Sequence, residues 1–494
     1  MLVLSLSTVA FLGLAQLADA SGSPSTGHRR RTAGGGQAMN LVRSAPNSNE
    51  WSTQQWGHWA KTQKSSLEAK YGGAGASGTG VQKRATGTNY MTNQNGDSSY
   101  FGSLAIGTPP VSYNVILDTG SADLWLAGSD CTTGCSGVAT FDPSSSSTFR
   151  NESSPFSITY GSGQAAGFLS QDVVQMAGFE VQNQIFAVCE QVSGGLLTAP
   201  VSGLLGLAFQ TIASSRAPPF WETLVTEGAW DEPVMAFQLT RYLNVSGVQT
   251  LEPGGSFSMG FANSSLYTGD IDYVNLPVTG SYWVLPITSI SVQNQSISPP
   301  SGQQAYAAID TGTTLVGGPS SYIAQIFQQI PGSAPGTGDF ESYYTYPCDT
   351  DVTVALSFGG RTWSISPADF RLARLTQREC LGAFFEIDSG GSSAPSWIVG
   401  DTFLKNVYSV FRYSPASVGF ANLSAVALAQ NGDASGAVPS ATIGSSAARV
   451  SATGSMLPKA HRSAGIKIGC GLLYATSASL LITIAVAGVH SVLL

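Results

Sequence analysis

The sequence carries one short stretch twice, and this duplication decides the fold. Residues 115–121 read VILDTGS, and residues 308–314 read AIDTGTT. Each copy is followed, at nearly the same distance, by two apolar residues and a glycine: LLG at 204–206 and IVG at 398–400. A single Asp-Thr-Gly is ordinary turn chemistry, whereas two copies with matched partners indicate an internal repeat. The chain is therefore predicted to contain two similar halves that face each other.

Each Asp-Thr-Gly follows a run of apolar residues, which predicts a tight, glycine-containing turn at the end of a buried strand. If the halves face each other, Asp118 and Asp310 meet. Two carboxylates about 3 Å apart repel by roughly 5 kcal/mol at an effective dielectric near 20, so one ionises and the other keeps its proton. If the chain is an enzyme, carboxylates must therefore do its proton chemistry.

The composition excludes several other classes of function. The 494 residues are 43% hydrophobic and only 11% charged, which is typical of a folded chain, and 57 Gly with 24 Pro favour turns and strands over long helices. A net charge of −8 argues against a nucleic-acid-binding protein. Residues 85–424 contain no histidine, so Ser–His or Cys–His nucleophiles and histidine-ligated zinc sites cannot be built there. We expect no metal and no cofactor. The four histidines are His28, His58, His461 and His490.

The N-terminal segments resemble a leader and a propeptide. Residues 1–20 are mostly apolar and end in a small–x–small pattern, so we expect a secretory signal; a retained membrane anchor is the alternative. Residues 21–84 are basic and Gly/Ser-rich, end at the dibasic pair Lys83-Arg84, and precede an acidic body. Opposite charges favour a propeptide that acid releases, against the alternative of a disordered basic tail. The body is predicted to divide into 85–283 and 284–424.

The C-terminal segments suggest surface anchoring. Residues 425–465 are rich in Ala, Ser, Gly and Thr, and we expect them to form a glycosylated stalk without a core. Residues 466–494 contain an apolar run of 24 residues, about 36 Å as a helix. No basic residue follows this run, which favours a glycosylphosphatidylinositol (GPI) attachment signal; a retained transmembrane helix is the alternative.

On these motifs the chain resembles the pepsin-like aspartic endopeptidases, from about Tyr100 to Ala421. The resemblance implies an all-β, bilobal fold, with two similar β lobes and the active-site cleft between them. It also implies that Asp118 and Asp310 are the catalytic pair and that residues 158–163, ITYGSG, form the hairpin flap over the substrate.

Further roles carry over by resemblance. Residues of the two catalytic loops are expected to support the aspartates: Thr119, Gly120, Ser121, Thr311, Gly312 and Thr313. Residues of the flap and substrate pockets are expected to contact the peptide: Tyr160, Gly161, Ser162, Trp125, Ile116, Leu196 or Leu197, and Thr314. The resemblance further implies disulfides Cys131–Cys135 and Cys348–Cys380, and Lys70 as the propeptide residue that blocks the aspartates.

Two of the six cysteines remain, Cys189 as an expected buried thiol and Cys470 in the anchor signal. Five N-x-S/T sequons agree with secretion: Asn151, Asn244, Asn263, Asn294 and Asn422.

The sequence is thus interpreted as a secreted, surface-anchored aspartic endopeptidase, made as a zymogen and active on extended polypeptides at acidic pH. Its architecture is similar to that of the anchored fungal yapsins. We expect a monomer whose partners are peptide substrates, its own propeptide and the membrane, with large hydrophobic residues beside the scissile bond. A preference for basic residues requires acidic groups in the cleft. The alternative function is a catalytically silent pepsin-like binding protein.

Overall fold

The computed structural model describes residues 85–387, 394–441 and 448–452. The chain divides into two units, Met1–His58 and Trp59–Leu494, and all described residues belong to the second. Within these ranges no helix combines the length and apolar character needed to cross a bilayer. The predicted signal, propeptide and anchor segments lie outside the described residues.

Fourteen of the described strands form one large sheet. In chain order they are β1 (Gly87–Gln94), β2 (Ser99–Ile106), β3 (Val111–Asp118), β4 (Leu124–Ala127), β5 (Arg150–Tyr160), β6 (Gly163–Met176), β7 (Phe179–Val192), β8 (Val201–Gly206), β9 (Val234–Leu239), β10 (Leu251–Met259), β11 (Tyr267–Asn275), β25 (Tyr408–Arg412), β26 (Ser417–Leu423) and β27 (Ala448–Ser451). Their order across the sheet is β11-β26-β25-β9-β10-β1-β2-β3-β8-β4-β7-β6-β5, and β27 pairs with β7.

Three smaller sheets lie in the second half of the chain. The first contains β12 (Val284–Pro286), β15 (Tyr306–Ile309), β16 (Val316–Gly318), β23 (Phe384–Glu386) and β24 (Trp397–Val399). The second contains β13 (Ser289–Val292), β14 (Gln295–Ile297), β19 (Val354–Ser357) and β20 (Thr362–Ile365). The third contains β17 (Ala334–Pro335), β18 (Tyr344–Pro347), β21 (Arg371–Arg374) and β22 (Glu379–Gly382).

The described helices are short. They are α1 (Phe220–Thr226), α2 (Ser320–Gln328), α3 (Pro367–Phe370), α4 (Asp401–Leu404) and α5 (Ala425–Leu428). Single 3₁₀ turns occur at Pro143–Ser145, Gln210–Ile212, Gly302–Ala305 and Gly338–Phe340. The predicted all-β class is confirmed.

The predicted duplication appears as one strand arrangement that occurs twice. In the first half, β8 lies between β3, to which it is parallel, and β4, to which it is antiparallel. In the second half, β24 lies in the same way between β15 and β16. Gly206 ends β8 and Gly400 follows β24, and a Cβ at either would overlap backbone atoms just after the neighbouring Asp-Thr-Gly turn. The apolar-apolar-Gly stretches are therefore the strands that run beside the two Asp-Thr-Gly turns.

The two halves are joined by strands and by a shared aromatic core. Strand β25, which belongs to the second half, pairs with β9 of the first half. The second half therefore contributes strands to the large sheet. Buried Trp283 packs against Phe209 and Phe411, with ring centroids 4.5 and 5.4 Å apart respectively, and its indole N–H donates to the Leu207 carbonyl. These contacts fix the second half against the first, immediately behind the catalytic turns.

The structure corrects the predicted start of the stalk at residue 425. Helix α5 is capped by the Ser424 hydroxyl, and the Tyr242 hydroxyl donates to the Asp433 carbonyl at 2.9 Å. Farther along, β27 joins the large sheet and Val450 is buried. The prediction from composition was wrong because a strand added to a sheet edge gains main-chain hydrogen bonds whatever its side chains are. This strand needs only one large apolar side chain, Val450, to pack against the core.

Candidate active site

The fold brings the two predicted catalytic aspartates together. Asp118 ends β3 and Asp310 follows β15; the side chains of both are buried, and each carboxyl lies against the glycine of the opposite turn. The Gly120 N–H donates to Asp118 Oδ1 and the Gly312 N–H donates to Asp310 Oδ1, each at 2.8 Å. The repeat in the sequence is thus a repeat in hydrogen bonding around one carboxyl pair.

The outer oxygens of the two carboxyls receive hydroxyl donors. Ser121 Oγ donates to Asp118 Oδ2 at 2.5 Å, and Thr313 Oγ1 donates to Asp310 Oδ2 at 2.6 Å. With the backbone donors, each carboxyl has both oxygens held by its own turn. The aspartates are therefore fixed in orientation before any substrate arrives.

The two turns also brace each other through their threonines. The Thr119 N–H donates to Thr311 Oγ1 at 3.1 Å, and the Thr311 N–H donates to Thr119 Oγ1 at 3.0 Å. Each hydroxyl in turn donates to a carbonyl of the opposite loop, Thr119 to Ile309 at 2.8 Å and Thr311 to Leu117 at 2.6 Å. All of these groups are buried, so the brace holds the distance between the halves at the carboxyl pair.

Glycine is required beside each aspartate by the closeness of the opposite carboxyl. A Cβ on Gly120 would overlap the carboxyl of Asp310, and a Cβ on Gly312 would overlap the carboxyl of Asp118. An alanine at either position would push the two turns apart. The Asp-Thr-Gly pattern therefore encodes the approach of the halves as well as the turn itself.

The electrostatics match a shared proton. Burial and the neighbouring Asp310 carboxyl raise the pKa of Asp118 well above its ordinary value, and the hydrogen bonds from Ser121 and Gly120 oppose this shift without cancelling it. The pair therefore retains a proton at a pH at which an isolated aspartate has lost it. One carboxylate and one carboxylic acid, side by side, give the site a base and an acid at once.

A hairpin made of β5 and β6 supplies the predicted flap. Tyr160 pairs with Gly163 at its tip, and Gly161 and Ser162 between them are exposed. The Tyr160 hydroxyl accepts a hydrogen bond from the Trp125 indole N–H at 2.8 Å. Burial and the charge of Asp118 raise the pKa of Tyr160, so its hydroxyl stays neutral.

The predicted apolar pocket residues share one cluster. Ile116, Tyr160, Leu196 and Leu197 are partly buried, and all pack against the cluster that contains Trp125. They therefore leave part of their apolar surface free on the flap side of the first half. Thr314, also predicted to contact substrate, donates its hydroxyl to the Ser98 carbonyl in the β1–β2 turn at 2.7 Å.

The cysteines pair as the resemblance implies. Cys131 is bonded to Cys135, and Cys348 to Cys380. Cys189 is a buried free thiol in β7, and burial raises its pKa to about 12, which leaves the thiol protonated and unreactive. Cys470 lies outside the described residues.

Four sequon asparagines, Asn151, Asn244, Asn294 and Asn422, are exposed. Asn263 is half-buried, and its side-chain oxygen accepts hydrogen bonds from Ser265. Lys70, Lys83 and Arg84 lie outside the described residues. No group of three or more His, Cys, Asp or Glu side chains within the described ranges is arranged to hold a metal ion.

A buried ion network, which the sequence did not predict, links the halves. Lys405 Nζ lies 2.8 Å from Asp97 Oδ2 and 3.0 Å from Asp369 Oδ1, and Arg241 makes a two-pronged contact with Asp369. Burial alone would lower the pKa of Lys405, but the two aspartates outweigh it and raise that pKa. The one available signal is a charged lysine in a mainly apolar stretch, residues 402–411, and its partners are too distant in sequence to be inferred.

Comparison with known proteins agrees with this geometry. The family model for eukaryotic aspartyl proteases matches residues 99–423. Major aspartyl peptidase 1 of Cryptococcus neoformans var. grubii is 47% identical over 352 residues, 69% of this chain and 72% of that protein. Pepsin A of Sus scrofa is 35% identical over 66% of this chain and 81% of its own length. Cathepsin D of Gallus gallus is 31% identical over 67% of this chain and 81% of its own length.

Proposed function

The chain belongs to the eukaryotic aspartyl protease family and is an aspartic endopeptidase that acts on polypeptides, and we propose that it is a secreted, surface-anchored zymogen whose mature form works at acidic pH. The observation that carries the proposed mechanism is the buried, closely placed Asp118–Asp310 pair, with each carboxyl held by its own turn.

In the proposed reaction, the ionised member of the pair takes a proton from a water molecule, whose oxygen attacks the scissile carbonyl carbon. The protonated member donates a hydrogen bond and then its proton to the carbonyl oxygen, which gives a neutral tetrahedral diol. The diol collapses as the C–N bond breaks: the protonated aspartic acid gives its proton to the leaving nitrogen, while the other, ionised aspartate takes a proton from a diol hydroxyl, which yields the carboxylic acid and restores the starting pair. Either Asp118 or Asp310 can be the ionised member, because a coupled pair titrates as a unit.

The hairpin tip and the apolar pocket favour a substrate with an extended backbone and large hydrophobic side chains. An extended peptide adds to the hairpin tip, where the exposed Ser162 hydroxyl and the Gly161 backbone offer polar contacts. Ile116, Leu196 and Tyr160 offer apolar surface next to Trp125. We therefore expect cleavage beside large hydrophobic residues.

The backbone hydrogen bonds of Ala85 support proteolytic maturation after Lys83-Arg84. Ala85 donates its N–H to the Ala229 carbonyl and accepts at its own carbonyl from the Asp231 N–H. A new N-terminus at this point would therefore already be bonded to the body. Lys70 is the proposed blocking residue of the zymogen, and N-terminal sequencing of the secreted protein, together with the activity of unprocessed Lys70→Met, tests both assignments.

Two observations support the secretory route. The chain has two disulfides, which persist in oxidising compartments, and four of its five sequon asparagines are exposed. For the anchor, phosphatidylinositol-specific phospholipase should release the protein from membranes. Retention after treatment would favour the transmembrane helix instead.

The experiment that tests the whole proposal is a cleavage profile of the processed protein on a mixed peptide library between about pH 3 and 7, with and without a statine-type inhibitor. We expect inhibitor-sensitive cleavage at hydrophobic pairs that is strongest in acid. Cleavage that is fastest at neutral pH, or resistant to the inhibitor, would contradict it.

A further inference from the structure

The C-terminal extension returns to the first half of the molecule as a fourteenth strand of the large sheet. β27 runs parallel to β7, with Ala448 opposite Phe179 and Ser451 opposite Gln182. Because β6 pairs along one edge of β7, β27 must occupy the other edge, which β4 covers farther along the strand. The strand therefore closes an edge that would otherwise expose unpaired backbone groups.

Side-chain burial gives this pairing a hydrophobic component. Val450 is 5% exposed and lies in the main core cluster with Val181 and Phe179, which are fully buried. Ala448 and Ala452 pack against the same cluster, and the Ala452 N–H donates to the Gln182 carbonyl at 2.8 Å. The last described residue is thus still bonded to β7.

An ion pair fixes the register of the strand. Arg449 Nε lies 2.5 Å from Glu180 Oε1, and Arg449 Nη2 donates to Glu180 Oε2 at 3.3 Å. The guanidinium therefore makes a bidentate contact with the carboxylate. Glu180 is only 3% exposed. Farther along the strand, Asn183 Nδ2, from the residue after Ser451's partner Gln182, donates to Ser451 Oγ at 2.9 Å. These contacts select residues 448–452 over other parts of a low-complexity segment.

We propose that β27 is a clamp that fixes the C-terminal tail to the first half of the enzyme, so that the surface anchor holds the enzyme on a short tether. This inference rests on the anchoring in the proposed function. With Ala452 docked, only about 13 residues separate the body from the anchor segment, a reach of at most about 45 Å. A free stalk of about 41 residues from 425 would reach about 140 Å.

The clamp leaves the cleft accessible. Ala187, which pairs with Trp125 near the flap, lies six residues beyond Val181 on β7, about 20 Å along the strand. The docked strand itself therefore ends before the part of β7 that pairs with β4 beside the flap. A short tether would restrict the enzyme to polypeptides close to the surface that carries it.

Hydrogen exchange of the full chain tests the clamp itself. Val450→Asp places a charge in the core cluster, and Arg449→Glu faces Glu180 with a like charge, so each should reduce protection at least tenfold in peptides covering 179–182 and 448–452. Val438→Asp is the matched control, because Val438 is 41% exposed in the same extension; it should change nothing there. Equal exchange in all four proteins would overturn the clamp.

Energy transfer between a fluorescent statine-type inhibitor in the cleft and an acceptor lipid tests the tether on intact membranes. Transfer should fall in Val450→Asp and stay at the wild-type level in Val438→Asp. Equal transfer in all variants would overturn the short tether. If no variant, including wild type, stays on the membrane, the anchoring fails and the tether with it, whereas the exchange experiment still decides whether the strand is docked.

Discussion

At the carboxyl pair, single hydrogen-bond donors set the balance between the charged and neutral forms. Ser121 and Thr313 hold equivalent outer oxygens, one with a serine hydroxyl and the other with a threonine hydroxyl. A donor to a carboxylate stabilises the ionised form and lowers its pKa. The equivalent positions therefore suggest threonine as the conservative replacement for Ser121, and serine as that for Thr313.

Ser121→Ala removes one donor from Asp118 and should raise the pKa of that carboxyl further. The acid limb of the kcat/KM profile should move to higher pH, and kcat/KM should fall about tenfold. Ser121→Thr copies the arrangement at Thr313 and should restore both. An unchanged acid limb in Ser121→Ala would show that this hydroxyl does not tune the pair.

At the scale of elements, the two Asp-Thr-Gly turns hold each other in position through hydrogen bonds. The Thr119 hydroxyl accepts from the Thr311 N–H and donates to the Ile309 carbonyl, both in the opposite half. Neither group can turn to solvent, because the loops are buried. The brace is therefore a stability element as well as a geometric one.

Thr119→Val keeps the shape of the side chain but leaves two buried backbone groups without a partner. The free energy of unfolding should fall by about 2–5 kcal/mol, as measured by urea denaturation. Thr119→Ser keeps the hydroxyl and should recover most of the loss. If the valine and serine variants are equally stable, the cross-brace contributes no stability.

The flap depends on a hydrogen bond between two elements, the Tyr160 hydroxyl of the hairpin and the Trp125 indole of β4. Tyr160→Phe retains the apolar ring and removes the acceptor, so kcat/KM should fall about tenfold with little change in stability. Trp125→Phe removes the donor. If this bond is what positions the flap, the double variant should lose no more activity than the worse single variant; fully additive losses would contradict it.

At the scale of the whole molecule, the two halves are held together by buried charges as well as by strands. Burial would raise the pKa of Asp97, but the charge and hydrogen bond of Lys405, together with hydrogen bonds from Asn93 and the Tyr242 N–H, lower it below the ordinary value. A depressed carboxyl pKa adds stability above the ordinary value of about 3.9, and this stability is lost as the pH falls through the folded-state pKa. The network should therefore hold across most of the acidic range.

Lys405→Met leaves Asp97 and Asp369 buried without their shared cation. The free energy of unfolding should fall by about 3–5 kcal/mol near neutral pH. The deficit should shrink in strong acid, because the unpaired carboxyls can then be protonated. Urea denaturation of both proteins at neutral and at strongly acidic pH measures this loss of stability. A loss that becomes larger as the pH falls would contradict the prediction.

The sequence predicted what is local or repeated, and it missed what only the folded chain brings together. The Asp-Thr-Gly turns and their strands could be predicted because each is a short pattern with a direct physical cause, whereas the hairpin at 158–163 was predicted from the family resemblance. The Lys405 network was not, because Asp97 lies more than 300 residues away in sequence. The docking of β27 was also missed, because its main-chain hydrogen bonds leave almost no mark on composition.

The central claim is that Asp118 and Asp310 share one proton and that this proton makes the pair catalytic. The most direct test is the rate of peptide hydrolysis near pH 4 by processed Asp118→Asn and Asp310→Asn, with thermal unfolding measured on the same samples. Both variants should remain folded and lose activity by at least about a thousandfold, because the amide keeps the shape and abolishes the shared proton. Retained turnover in either folded variant would contradict the account.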